Sequence, residues 1–122
     1  MKVESVTAWE RDAGDGEVVP RRLRIFQRDH FTCVYCGAVF PSEELTLDHV
    51  EPRVKGGDHS DGNLVTCCRA CNELKAGQAA WFFLANDAER RENFLRNATG
   101  VWPRLRRAIE DAAKRQGRSR HK

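Results

Sequence analysis

No apolar run in this 122-residue chain approaches the roughly 20 residues that a membrane-spanning helix needs, so the sequence offers no such helix. The opening residues, MKVESVTAWERDAGDGE, contain no apolar core of the signal-peptide kind. A secretory leader is therefore not expected, and a cytoplasmic setting with no membrane partner is. Internal repeats and low-complexity tracts are missing as well, and so is a βαβ pattern of the thioredoxin type. What remains is 40% hydrophobic and 32% charged, with three Trp and six Phe, which suits a folded domain and not a disordered chain. The core must still be small, and a chain of this length often leans on a covalent or metal staple.

Charge is unevenly spread. Residues 1–19 carry two basic and five acidic groups, residues 20–100 eleven of each, and residues 101–122 eight basic and two acidic. The C-terminal end thus suits a polyanionic partner, although a solvated helix and tail would produce the same gradient.

Cysteine is more informative. Four of the five fall in two CxxC pairs, Cys33/Cys36 and Cys68/Cys71. In a reducing compartment such pairs are poor disulfides and good thiolate ligands, and four soft sulfurs make the tetrahedron that zinc prefers. Four sulfurs also close the coordination sphere, so the expected Zn²⁺ is structural and its binding contributes to folding. A redox CxxC would need only one pair. Cys67, the fifth, reads as a small buried hydrophobe.

The local pattern predicts a short helix from Pro20 to about Asp29, with Leu23 and Phe26 inward and Arg21, Arg22, Arg24 and Arg28 on the polar side. FTCVYCGAVF reads as a zinc knuckle within a hairpin, turning at Gly37. A turn at 41–44 leads into a strand at 45–50, a long loop over 51–62, and a second strand at 64–66. A helix follows from near Arg69 to about Gly77. Beyond it the chain reads as helical: an apolar segment at 79–85, a helix opened by an Asn86/Glu89 capping box, and a last helix from Pro103. In that last helix Leu105, Ala108, Ile109 and Ala112 form one apolar stripe.

Strand, long loop, strand and helix, clamped by cysteine pairs, hold a concentration of polar groups: Asp48-His49, Asn63 and Asn72. Phosphodiester hydrolysis needs a set of this kind, to take a proton from water, neutralise the phosphate with a hard cation, and orient the base. The segment LTLDHVEPRVKGGDHSDGNLVTCCRACNELKAG resembles the HNH endonuclease family, and the resemblance extends over residues 20–78. It implies an α+β fold: a small ββα-metal (HNH/His-Me finger) core with a zinc knuckle, flanked by helices. The third motif position is Asn72 and not His, a variant familiar among active members.

The resemblance implies that His49 is the general base and that Asp48 and Asn72 ligate a catalytic Mg²⁺ or Mn²⁺. It implies that Asn63 braces the loop and orients His49, and that the products carry 5′-phosphate and 3′-hydroxyl ends. Arg53, Lys55, Arg69 and Lys75 are candidate contacts to DNA, expected to be double-stranded. A homodimer or larger complex is left open. Neighbours on a regular strand point to opposite faces, so the first strand is expected to bend or end near Asp48-His49. The second Asp-His pair, Asp29-His30, reads as a helix-terminating turn, and His59 and His121 as loop and tail residues.

The expected organisation is an acidic segment at 1–19, poorly ordered or an edge strand, then the nuclease core at 20–78. A helical extension at 79–117 and a basic tail at 118–122 complete it. Two rival readings stay open: a non-catalytic zinc-knuckle module that binds nucleic acid, and an interaction protein docking through Trp81-Phe82-Phe83. The docking reading expects those aromatics to be exposed, the nuclease reading expects them buried.

Overall fold

A computed structural model describes residues 19–120, with side chains through Arg115. The expectation for the acidic segment falls outside these residues, apart from Val19, as does that for His121.

The first helix, α1 (Arg21–Arg28), starts after Pro20 (φ −53°), whose ring presets the entry geometry and whose missing N–H costs the first turn nothing. Ile25 and Phe26 are its buried residues, so the inward face includes Ile25, while Leu23 is half-buried. The helix ends at Asp29, and the chain reverses through His30 and Phe31 at φ of 60° and 55°. Left-handed backbone is unfavourable for such side chains. It is held here by Phe31 N–H donating to Phe26 O (2.8 Å) and Phe40 N–H donating to Phe31 O (3.0 Å). The Asp29 carboxylate is buried and accepts from Arg28 and from the Thr66 N–H, so this Asp-His pair is a structural turn.

The cysteine knuckle then closes between a lone bridge, Thr32 to Val39, with Gly37 in the left-handed region at φ 82°. Strands β1 (Leu45–His49) and β2 (Leu64–Cys68) pair antiparallel, with Leu45 opposite Cys68 and His49 opposite Leu64. All five β2 residues are buried, because α1 packs on this sheet as well as the next helix, α2 (Arg69–Lys75). Between the strands, 51–63 is no plain loop but contains two 3₁₀ turns, Arg53–Lys55 and Asp61–Asn63.

Helix α2 stops where Ala76 and Gly77 take φ of 53° and 81°. Then follow α3 (Ala80–Phe83), α4 (Ala88–Asn97) and α5 (Pro103–Arg120). The N-cap of α4 is Asp87, which accepts from Arg90 N–H at 3.1 Å, and not Asn86 as the capping-box pattern suggests. Helix α5 continues through Arg120, so part of the expected basic tail is helical. Leu105, Ile109 and Ala112 are buried against the rest and α5 packs on α3, as the apolar stripe predicts. Of the three aromatics at 81–83, Trp81 and Phe83 are partly buried against the core, whereas Phe82 is 68% exposed. Tyr35 joins the knuckle to these helices: it stacks on Phe94 (5.7 Å) and meets Phe83 edge-on (5.4 Å). No helix among the described residues is long and apolar enough to cross a membrane.

Candidate active site and metal cluster

The four cysteines of the two CxxC pairs converge. The sulfurs of Cys33, Cys36, Cys68 and Cys71 all lie within 4.8 Å of one another. A zinc tetrahedron with Zn–S bonds of about 2.3 Å needs sulfurs about 3.8 Å apart, close to this arrangement. Each knuckle also turns a backbone N–H onto its first sulfur: Cys36 N–H onto Cys33 Sγ and Cys71 N–H onto Cys68 Sγ, both at 3.5 Å. The second contact makes Cys68 the N-cap of α2, so one sulfur serves both helix and cluster. Arg90 extends toward the same sulfurs. Its Nε is buried without an oxygen partner, and its guanidinium is held well above the ordinary value by Asp87 and, next, by the Cys71 sulfur. Four thiolates around Zn²⁺ leave a double negative charge, which a neighbouring guanidinium offsets. The Cys33 thiol is held far below its usual range, chiefly by the thiol of Cys67 and then of Cys71. Cys67 itself is fully buried beside the cluster, its thiol donating to Cys68 O at 3.2 Å.

The polar motif residues sit further along the hairpin. Strand β1 runs regularly to His49 and the chain bends at Val50, so Asp48 and His49 meet different neighbours. The Asp48 carboxylate accepts from the Tyr35 hydroxyl (2.7 Å) and from Lys75 Nζ (3.1 and 3.2 Å), and is only 8% exposed. Burial pushes its pKa above the ordinary carboxyl value, with Lys75 and Tyr35 opposing the shift. Lys75 also donates to His49 O at 3.1 Å. It is 1% exposed, which corrects its expected role as a phosphate contact: an ammonium enclosed by a carboxylate and a carbonyl cannot reach a DNA backbone.

His49 is half-buried, and its pKa is lowered first by burial and then by His59, which favours the neutral imidazole. Its Nε2 lies 3.0 Å from His59 Nδ1, and His59 Nε2 lies 3.2 Å from Arg53 Nη1. Asn63 is fully buried and locks the loop: Oδ1 accepts from Glu51 N–H (2.8 Å), while Nδ2 donates to Glu51 O (3.0 Å) and Asp58 O (2.8 Å). A Cβ at Gly57 would lie 1.8 Å from Glu51 O, so only glycine lets these strands of the loop approach. Asn63 thus touches the backbone that follows His49, not the imidazole itself.

Asn72, on α2, lines a recess of about 290 Å³ with Arg22, Leu45, Thr46, Arg69 and Glu73. Thr46 shares a strand face with Asp48, and Asn72 is one helical turn before Lys75. Arg69 is exposed and donates to Glu43 O at 2.8 Å, and Arg53 and Lys55 are exposed in their 3₁₀ turn.

The arginines of α1 make hydrogen bonds within the protein, although Arg21 and Arg22 remain exposed. Arg21 donates to His59 O (2.6 Å), Arg24 grips Asp61 with two bonds, and Arg28 donates to Asp61 O and Leu64 O. They pin the loop that carries His59 and Asn63. From the other side, Trp102 N–H donates to Gly62 O at 3.0 Å, and a Cβ at Gly62 would fall 2.2 Å from the Trp102 indole nitrogen. Sequence reasoning missed His59, Tyr35 and the burial of Lys75. A tyrosine between two knuckle cysteines was the available signal for Tyr35; spacing held none for His59.

Residues 33–78 match the model of the HNH endonuclease family. This segment belongs to the HNH endonuclease family. The ββα core and the four-cysteine cluster agree with it, and the cluster has the form of a structural zinc site. A solved structure, the Type II-C Cas9 enzyme from Actinomyces naeslundii, is similar in fold, with a TM-score of 0.60 over 89% of this chain at 22% identity. The chain matches only 13% of that protein's length. No curated protein matches the chain.

Proposed function

We propose that this HNH domain is a metal-dependent endonuclease hydrolysing DNA phosphodiester bonds, with His49 as general base and Asp48 and Asn72 as donors to a divalent cation. The observation that carries the reading is the state of His49 inside the family-matched segment. It is an imidazole biased toward its neutral form at the end of β1, next to a loop that Asn63 locks and that carries the exposed Arg53 and Lys55. A base must be unprotonated and held in place beside the phosphate site, and those features favour both.

The donor set suits a hard cation. Asp48 Oδ1 accepts a single hydrogen bond and keeps a lone pair, and Asn72 adds a carboxamide oxygen, both of the type that Mg²⁺ or Mn²⁺ selects. Such an ion supplies charge neutralisation at the scissile phosphate and the departing oxygen. The protein's own part is threefold. Lys75 and Tyr35 keep the Asp48 carboxylate oriented, Asn63 fixes the backbone beyond His49, and the basic turn at 53–55 meets the phosphate backbone. The substrate we assign is double-stranded DNA, acted on in the cytoplasm.

The engagement of Asp48 by Lys75 would equally suit a module that grips nucleic acid without cutting. Nicking of supercoiled plasmid with Mg²⁺, Mn²⁺ or a chelator, beside the His49→Ala protein, separates the two. The nuclease reading expects divalent-dependent nicking that falls by roughly 10²–10⁴-fold in the variant. Binding without cutting in every divalent ion would contradict it.

A further inference from the structure

A hydrogen-bonded chain joins His49 to His59 and Arg53, and no motif role accounts for His59. A guanidinium has only donors, so it fixes the direction of both contacts. Arg53 Nη1 donates, hence His59 Nε2 accepts at 3.2 Å and the His59 proton sits on Nδ1. That Nδ1–H then donates to His49 Nε2 at 3.0 Å, and a neutral His49 carries its own proton on Nδ1. Both ring nitrogens of His49 are thereby closed to water, one by its proton and the other by His59. The arrangement is rigid on the protein side. Arg21 holds His59 O at 2.6 Å, Asn63 holds Asp58 O at 2.8 Å, and Ser60 N–H donates to Asp58 Oδ1 at 3.0 Å. The outer member is different: Arg53 is exposed, and among the described residues no carboxylate lies within ion-pair distance of it. A phosphodiester is a stronger acceptor for a guanidinium than a neutral imidazole.

Resting on the reading of His49 as general base, we propose that Arg53 and His59 gate that base: a substrate phosphate draws Arg53 off His59, the hydrogen-bond chain reverses, and His49 Nδ1 is left as the free lone pair. The protons balance. The His59 Nδ1 proton passes to His49 Nε2, His59 Nε2 takes one from water, and His49 Nδ1 returns one to water. His59 is then a positioning residue that accepts from His49 Nε2–H, and Arg53 is the sensor of phosphate. The base is armed only where a phosphate is bound, which limits wasteful encounters with water.

The test uses the zinc-loaded full chain labelled with ¹⁵N at histidine, and reads the tautomer of His49 from long-range ¹H–¹⁵N correlations. Free wild-type protein is expected to show Nδ1–H at His49. Arg53→Ala protein, and wild type with a short DNA duplex and no added Mg²⁺, are both expected to shift to Nε2–H. In plasmid nicking with Mg²⁺, His59→Ala should lower kcat roughly tenfold to hundredfold with KM within about threefold, less than loss of the base itself. His59→Asn, whose amide can donate or accept near the Nδ1 position, should recover most of that loss. Arg53→Ala should instead raise KM and leave kcat within about threefold, because its base is already armed. A His49 tautomer that stays Nδ1–H in Arg53→Ala and with DNA would overturn the gate while leaving the nuclease reading standing, and so would wild-type kcat in His59→Ala. Wild-type protein that fails to nick at all would overturn the nuclease reading and this inference with it.

Discussion

The two ends of the β1–β2 hairpin carry donor sets of opposite chemistry. At one end Cys68, opposite Leu45, belongs to four sulfurs that fill a tetrahedron and leave no open position. At the other, about 13 Å away at strand rise, His49 pairs with Leu64 and its ring meets another imidazole in an exposed loop. The sulfur end is closed, and three of its four ligands are buried. The nitrogen and oxygen end leaves donors with spare lone pairs. A closed soft site can only hold the fold, whereas an open hard site can bind, exchange and react. Tyr35 links the two, because it rises from between the knuckle cysteines and donates to Asp48. The cluster's knuckle thus helps to position the Asp48 carboxylate through Tyr35.

Breaking the sulfur end should have the largest effect. Prolonged chelation, or Cys68→Ser, is expected to remove binding energy on the order of 10 kcal/mol and unfold the domain, read by circular dichroism and the melting curve. An unchanged melt after chelation would separate the fold from the cluster. Lys75→Met comes next, since it leaves Asp48 buried without its cation. It should cost about 3–5 kcal/mol in denaturant unfolding, and Lys55→Ala, on the exposed turn, less than about 0.5. Equal small effects would mean that the Asp48–Lys75 pair is not the anchor between the two ends. Asn63→Ala orphans one N–H and two carbonyls and should cost about 2–4 kcal/mol, with nicking lost at temperatures where the fold persists. Gly62→Ala, forced against Trp102, should cost about 1–3 kcal/mol and loosen the loop without altering the cluster.

The same division explains what could be read from the sequence. The cysteine cluster was legible because CxxC pairs impose their own geometry: the chain between ligands is too short to do anything else. Strands, α2 and the apolar stripe of α5 followed from period and turn residues. Lys75 was misread because a lysine on a short helix is ordinarily exposed, and only the approach of β1 and the knuckle tyrosine encloses it. His59 was invisible as a partner of His49, because their meeting depends on the course of a loop. That course is set by Asn63, the glycine at 57 and three arginines of α1, each a long-range contact without a sequence signature. Helix α1 and its polar arginine face were legible, but the grip of Arg21, Arg24 and Arg28 on the loop was not, since arginines that hold a loop look in sequence like arginines that face water.

We propose that one domain holds two chemically separate cation sites, a closed sulfur site and an open oxygen site. Mn²⁺ binding to the zinc-loaded protein, followed by electron paramagnetic resonance with zinc content measured in parallel, tests it most directly. The account predicts one bound Mn²⁺ with zinc retained, and loss of that Mn²⁺ in both Asp48→Ala and Asn72→Ala while zinc stays. Mn²⁺ that binds only by displacing zinc, or that binds undiminished in both variants, would contradict it.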